Sequence, residues 1–379
     1  MMPPSILNAN QLTGWLIRIT CLFWLIAKII CCRLWLSDRL FPLVPAFDFL
    51  VAPSLVHWSL FILSLICLFL LLFFPDKKVF QIGIIVFEVL SCILDQNRWQ
   101  PWEYQYIFTI LIVLLNRKNE KHIISLMIFL LAAVYFYSGV GKLNPMFIRS
   151  IWCNLLLSKT FGVSNAVIYQ ANVYYSGYLL GMIEVALGIG LLIKRFRKVS
   201  LILLIVMHII ILGVFGPVGL NYDHIIWPWN LSMLGYLIFF TVKNNNIEFI
   251  TAPLKLYRNI PMVILLGVMP IFSLFGRWDF FLSFSLFSSR PTDMYICMKR
   301  DINNPLNQYC DTSQTPCDKE SLLINVRKWA FKEMYAPAYP QTRVYEKIKN
   351  KLQYQFPNMQ ATYFIYIYRN GKKVKEEMK

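Results

Sequence analysis

Apolar runs of bilayer length decide what this chain can become. Lipid offers no partner to a backbone N–H or C=O, so a run that crosses a membrane has to bond internally as a helix. With about 17–25 residues needed per crossing, and fewer where protein shields the helix, the sequence supplies about nine candidates. They cover residues 15–36, 55–74, 79–94, 104–115, 123–140, 174–193, 199–215, 225–242 and 260–275. The third and fourth are short and joined by a polar, aromatic turn, so they are expected to be tilted or partly re-entrant. Composition agrees: 57% of residues are apolar and 15% are charged, where soluble domains are about a quarter charged. That balance excludes disorder, collagen and a small disulfide scaffold, and leaves too few charges for a coiled coil. The first fourteen residues hold no Lys or Arg and no small-residue cleavage site follows, so the first run reads as a retained span.

Orientation follows from the basic residues of the short loops. Even-numbered loops carry twelve, among them Lys77, Arg117, Lys194, Arg195, Lys198 and Arg258, whereas odd-numbered loops carry six. The bias puts the even loops and the N-terminus in the cytoplasm. The expected architecture is an all-α polytopic membrane bundle over residues 1–285, followed by a small α+β exoplasmic domain over 286–379. The expected location is the plasma (inner) membrane. The net charge of +17 fits cytoplasmic loops and anionic lipid, with no nucleic-acid partner expected.

The tail from Arg290 has sixteen Lys+Arg, nine Asp+Glu and no membrane-length run. Its pattern predicts strands at 293–298 and 361–369, an amphipathic helix at 321–334 and a second helix at 343–355. The last strand turns at Asn370-Gly371 and is placed to pair with the first. Of the nine cysteines, Cys310 and Cys317 bracket a polar loop and are the expected disulfide of an exoplasmic tail. No pair of CxxC motifs exists, so no metal site is expected.

Polar and aromatic clusters fall on the odd loops. Residues 95–103 include Arg98, Trp99 and Trp102; residues 216–230 include Asp223, His224, Trp227 and Trp229; Arg277-Trp278-Asp279 follows the ninth span. An interfacial aromatic belt explains tryptophans alone. The accompanying Asp, Asn, Gln, Arg and His point instead to a shared pocket open to the exoplasm. His224 beside Asp223 has the form of an imidazole oriented by a carboxylate. Lys142 is the sharpest residue: Tyr135, Ser138, Gly139 and Lys142 share one helix face, and the small residues imply close packing. A lysine held inside the bundle, rather than snorkelling to headgroups, is a candidate general base. Glu184 shares a face with Gly177, Gly181 and Gly188. Arg18, Lys28, Glu88 and His208 also lie inside spans, where pairing such as Lys28 with Glu88 or Glu184 is the expected structural solution.

The stretch Tyr135-Phe136-Tyr137-Ser138-Gly139-Val140-Gly141-Lys142-Leu143 resembles the tyrosine-rich helix end of the HTTM family, the membrane module shared with vitamin K-dependent gamma-carboxylase. Leu16-Ile17-Arg18-Ile19 is similar to that module's opening helix, and His208 to a histidine ahead of its next exoplasmic loop. The resemblance implies a base at Lys142 acting on a quinone or hydroquinone. Tyr135 and Asn144 would orient the ring oxygens, and the Trp-rich loops would wall the ring. Where the carboxylase has acidic residues after the lysine, this chain has Asn144-Pro145. DoxX-type membrane proteins carry a similar Gly-x-x-Lys-Leu helix end. Three functions stay open on the sequence: an enzyme using a quinone-type reductant, a scaffold or lipid-binding subunit whose tail recruits a protein, and a transporter. A reporter active only outside the cytoplasm should work when fused after Lys379 and be silent after Lys198. The reverse result refutes the loop-charge orientation.

Overall fold

The computed structural model describes residues 9–221, 224–243, 248–285, 292–301, 303–311, 317–318, 321–369 and 372–378. Eight main helices precede the tail: α1 (Ala9–Ile30), α2 (Ser54–Phe73), α3 (Lys78–Leu94), α4 (Pro101–Asn116), α5 (Glu120–Lys142), α6 (Ala171–Leu192), α7 (Lys194–Phe215) and α8 (Ile226–Lys243). An irregular helix, Ile260–Phe275, follows with π and 3-10 turns, its regular hydrogen bonding interrupted around Pro261 and Pro270. Among the described residues five helices are long and apolar enough to cross a membrane: Gln11–Ile30, α2, α5, α6 and α7. The other four expected spans are helical too, but shorter or less apolar.

The shortness of α4 has a physical reason. Its first ten residues are all buried, including the polar Glu103, Gln105 and Thr109. A helix buried all round sits inside a bundle, surrounded by protein rather than lipid. By contrast α2 and α7 turn Ile62, Phe69, Ile202 and Ile209 outward, the apolar exterior a lipid-facing helix needs. α5 and α6 pack backbone to backbone. A Cβ at Gly139 would lie 2.7 Å from Gly181 O, and one at Gly188 would lie 2.8 Å from Phe136 N. The small-residue face read from the sequence is this seam.

Loops gather in two sets. Arg18 Nε donates to Leu72 O, Arg117 Nη2 to Asp76 O and Arg258 Nη2 to Asn116 Oδ1, which ties even loops and the chain start together. The odd loops meet the tail instead. Glu333 accepts from the N–H groups of Leu40 (2.5 Å) and Phe41 (3.0 Å), and from Trp329 Nε1. Tyr339 N donates to Asn97 Oδ1, Gln100 Nε2 to Pro337 O and Lys347 Nζ to Pro45 O. Asp279 takes Arg343 through both oxygens and also the Tyr339 hydroxyl. Burial, then the Asp279 carboxylate, push that phenol well above its usual range.

The tail is an antiparallel sheet in the order β2-β3-β1-β4-β5, where β1 is Asp293–Lys299, β2 Cys310–Asp311, β3 Ser321–Asn325, β4 Ala361–Arg369 and β5 Lys372–Glu377. Helices α9 (Val326–Met334) and α10 (Thr342–Gln355) complete it. The first and last predicted strands pair, with Ile296 opposite Tyr363. Two expectations are corrected. Residues 321–325 form a strand, not the start of a helix: Leu322, Leu323 and Ile324 pair with β1, and Asn325 caps α9 by accepting from Lys328 N. The disulfide joins Cys297 to Cys317, leaving Cys310 free, because Cys310 lies across from Ile324 on the far side of β3. Asn370-Gly371 lies outside the described residues.

Peptide mapping without reduction should therefore recover a Cys297–Cys317 cross-link and an alkylatable Cys310. Glu333→Ala, which strands two backbone donors at the docking surface, should cost roughly 2–4 kcal/mol and expose the tail to protease. A Cys310–Cys317 link, or a variant as protease-resistant as the wild type, contradicts this arrangement.

Candidate functional site

The helices α5, α6, α7 and α8 converge on a cavity of about 70 Å³. Tyr135, Ser138 and Lys142 enter from α5, Glu184 from α6, Met207 and His208 from α7, and Trp229 and Asn230 from α8. Phe284, beyond the last helix, adds an apolar wall. The α5–α6 seam determines the main polar feature. Because Gly139 and Gly181 let the backbones touch, Lys142 Nζ reaches the Glu184 carboxylate in an ion pair, and donates also to Ser138 Oγ at 3.0 Å. The side chains are 17% and 6% exposed, so Lys142 is inside the bundle. A lysine paired in this way is an ammonium, and it must first give up a proton, for which Glu184 is the nearest acceptor, before it can take one from anything else.

A second polar chain shares the cavity. Asn230 Nδ2 donates to Ile226 O at 2.6 Å, which turns its Oδ1 to His208 Nδ1, also at 2.6 Å. An amide oxygen only accepts, so Nδ1 carries the hydrogen; Nε2 then accepts from the Tyr135 hydroxyl at 2.7 Å. Phenol, imidazole and amide thus form a directed relay beside the ion pair. Together they place an ammonium, a carboxylate, a phenol and an imidazole on one cavity.

Of the residues picked from the sequence, Lys142, Tyr135 and Trp229 line this cavity. The others are placed elsewhere. Asn144 is 1% exposed and caps the turn after α5, accepting from Met146 N and Phe147 N. Trp102 packs edge-on against Trp35, and Trp99 against Tyr104. Trp227 is half-buried and is not among the residues lining the cavity. His224 rests on the Tyr335 ring of the tail, with centroids 5.3 Å apart. Asp223 lies outside the described residues.

Arg98 serves another centre. Its guanidinium donates to Leu34 O, Trp35 O, Ser91 O and Ser91 Oγ, contacts His57 Nδ1 at 3.0 Å, and lies 3.9 Å from Asp95. Burial pulls its pKa down to about 10, against the attraction of Asp95, so it stays charged at neutral pH. The 95–103 and 277–279 clusters therefore meet the tail, while Trp229 and Asn230 of the 216–230 cluster line the cavity. Asn230 belonged to the Trp-Pro-Trp-Asn run read as part of a pocket but was given no role of its own, and Phe284, which carries no polar signal, escaped the sequence reading.

A pocket for a drug-sized ligand spans about 300–1,000 Å³. At about 70 Å³ this cavity, as it stands, suits a few waters or a small polar head. No family model matches the chain, and no curated protein or solved structure matches it.

Breaking a buried ion pair costs more than removing it, because the remaining partner stays uncompensated. Lys142→Met and Glu184→Gln should each cost roughly 3 kcal/mol, and the double variant should recover most of that loss. Melting of the purified protein in detergent measures the cycle. Costs that simply add would mean the two groups do not act as a pair.

Proposed function

We propose that this protein is a multi-pass membrane enzyme that carries out acid–base chemistry on the polar end of a lipid-soluble substrate at Lys142 and Glu184. The observation that carries the reading is the meeting of an ion pair with the Tyr135–His208–Asn230 relay at one small cavity. Ionisable groups within membrane helices are costly and are taken as functional until shown otherwise. In this reading Lys142 passes its ammonium proton to Glu184 as the substrate's polar head enters, and as the neutral amine takes a proton from that head, leaving the substrate anion beside the ammonium. The Tyr135 hydroxyl, held by His208, lines the same space and orients the head. The likeness of the 135–143 stretch to the HTTM lysine motif points to the same residue. A quinone would need a wider cavity, so no step is assigned to one.

Nine crossings, with a cytoplasmic N-terminus and an exoplasmic tail, belong to the same proposal. It is supported by the separation of even and odd loops into two bonded sets. A second reading has one observation in its favour: the ion pair and relay satisfy each other, as structural ties do. In that case the protein is a scaffold, and the docked tail is its recruiting surface.

Lys142→Arg distinguishes the two. Arginine keeps the charge and the partner but does not give up its proton at any working pH. In cells lacking the gene, Lys142→Arg should accumulate normally yet fail to complement, and Lys142→Met/Glu184→Gln should do the same. Lys159→Ala, at an exposed position, should complement fully. Full complementation by Lys142→Arg refutes the base and leaves the scaffold.

A further inference from the structure

Glu88 of α3 and Glu103 of α4 are both 0% exposed, and each gives one carboxyl oxygen to a donor from α1. Glu88 Oε2 accepts from Lys28 Nζ at 2.8 Å, and Glu103 Oε2 accepts from Trp24 Nε1 at 2.7 Å. The Oε1 atom of each is buried and receives no hydrogen bond from any N–H or hydroxyl of the described residues. Yet the two side chains lie within hydrogen-bond reach of one another. A carboxylate only accepts, so two ionised carboxylates cannot bond to each other. Their orphan oxygens would instead face each other as like charges, with no water to solvate them.

Counting charges leads to the same place. Among the described residues Lys28 is the ammonium beside both carboxyls, and its hydrogen bond goes to Glu88. Arg98 also acts on Glu88, but its guanidinium is directed at Leu34 O, Trp35 O, Ser91 and His57. The other titratable neighbours, Cys31, Cys67, Cys92 and Tyr106, bring no positive charge. Two carboxyls sharing a dry site do not both ionise, and here one of them has the cation.

We propose that α3 and α4 hold one bound proton between them: Glu103 is a carboxylic acid whose Oε1–H donates to Glu88 Oε1, while Glu88 is the carboxylate that pairs with Lys28. One hydrogen then satisfies both orphan oxygens. Glu103 carries it because its second oxygen takes a neutral indole N–H, as a carbonyl oxygen does, whereas Glu88 takes an ammonium. Glu103 stands in the first turn of α4, next to the Gln100 amide that donates to Pro337 O, so the proton fastens α3 to the end of α4 on which the tail sits. None of these residues lines the Lys142 cavity, and the inference does not rest on the chemistry there.

The test is infrared spectroscopy of the purified full-length protein at neutral pH, where exposed carboxyls are ionised. A protonated carboxyl absorbs above the amide bands. The wild type should show such a band, shifted when its glutamates carry heavy carbon and absent from Glu103→Gln. In that variant the amide N–H replaces the acid O–H and the amide oxygen still takes Trp24. Glu103→Gln should therefore fold and melt within about 2 °C of the wild type, no more than one weak hydrogen bond would account for. Glu103→Leu, which has no donor, should melt lower than Glu103→Gln. A wild type without the band, or a band that survives in Glu103→Gln, overturns the proposal. So does a Glu103→Gln protein that fails to fold, or one that melts well above the wild type, as relief of two repelling anions would make it. Equal melting of the Gln and Leu variants overturns it as well.

Discussion

A charge inside this bundle has no water to turn to, and the architecture follows from meeting that constraint. Six titratable side chains cluster where α1, α3 and α4 meet the odd loops: Lys28, Arg39, Arg98, Glu88, Asp95 and Glu103. Lys28 donates to Glu88 at 2.8 Å and sits over the Trp35 ring; Asp95 takes Arg39 and faces Arg98; Glu103 accepts from Trp24 Nε1. Each buried charge is thus held against a group that compensates it. The same residues then order the backbone around them. Arg98 gathers the carbonyls of Leu34, Trp35 and Ser91, and Asp95 caps the 96–98 turn while accepting from Val44 N. Asn97, held by Asp95, presents its Oδ1 to Tyr339 N. The buried charges thus extend, through one amide, to the docking of the tail.

This centre explains why the tail needs few of its own contacts to be fixed. Glu333 takes the backbone N–H groups that the 37–41 turn leaves open, and Asp279 takes Arg343 at the far edge. Hydrogen bonds to charged groups contribute about 1.5–3 kcal/mol each, roughly twice a neutral bond. These ties act with the Lys347–Asp48 pair and with apolar contacts such as Phe41 on Trp329 and Phe281 on Tyr339 to seat the tail on the ends of the helices.

What the sequence showed was what periodicity and cost can show. Apolar length located the eight main helices and the irregular one after them but not the helical stretch Ile148–Thr160, alternation located β1 and β4, and the expense of an intramembrane lysine predicted that Lys28 would find a glutamate. The Gly177, Gly181 and Gly188 face announced the seam that carries Glu184 to Lys142. Other features depended on distances that only the fold sets. Leu322, Leu323 and Ile324 precede a helical pattern and read as part of it, although pairing with β1 holds them extended. Cys317 is nearer in sequence to Cys310 than to Cys297, but β3 stands between the closer pair. The tryptophans of the odd loops carry the same composition whether they wall a pocket or seat a domain. Only their contacts separate the two.

The protein contains its own control for the two meanings of a buried ion pair. Lys28 and Glu88 are 0% and 1% exposed, pressed against Trp35 and Phe61, and border no part of the Lys142 cavity. Such a pair contributes little net stability, since desolvation offsets attraction, and its work is to fix one arrangement of helices. Lys142 and Glu184 share the chemistry but not the setting. They are 17% and 6% exposed, they border a cavity with room for water, and a phenol–imidazole–amide chain ends beside them. If fixing α5 against α6 were the only demand, the glycine seam would already meet it, and apolar side chains would fill the cavity at lower cost. A cation, an anion and a phenol–imidazole pair around open space are the setting that the proposed acid–base role at Lys142 requires.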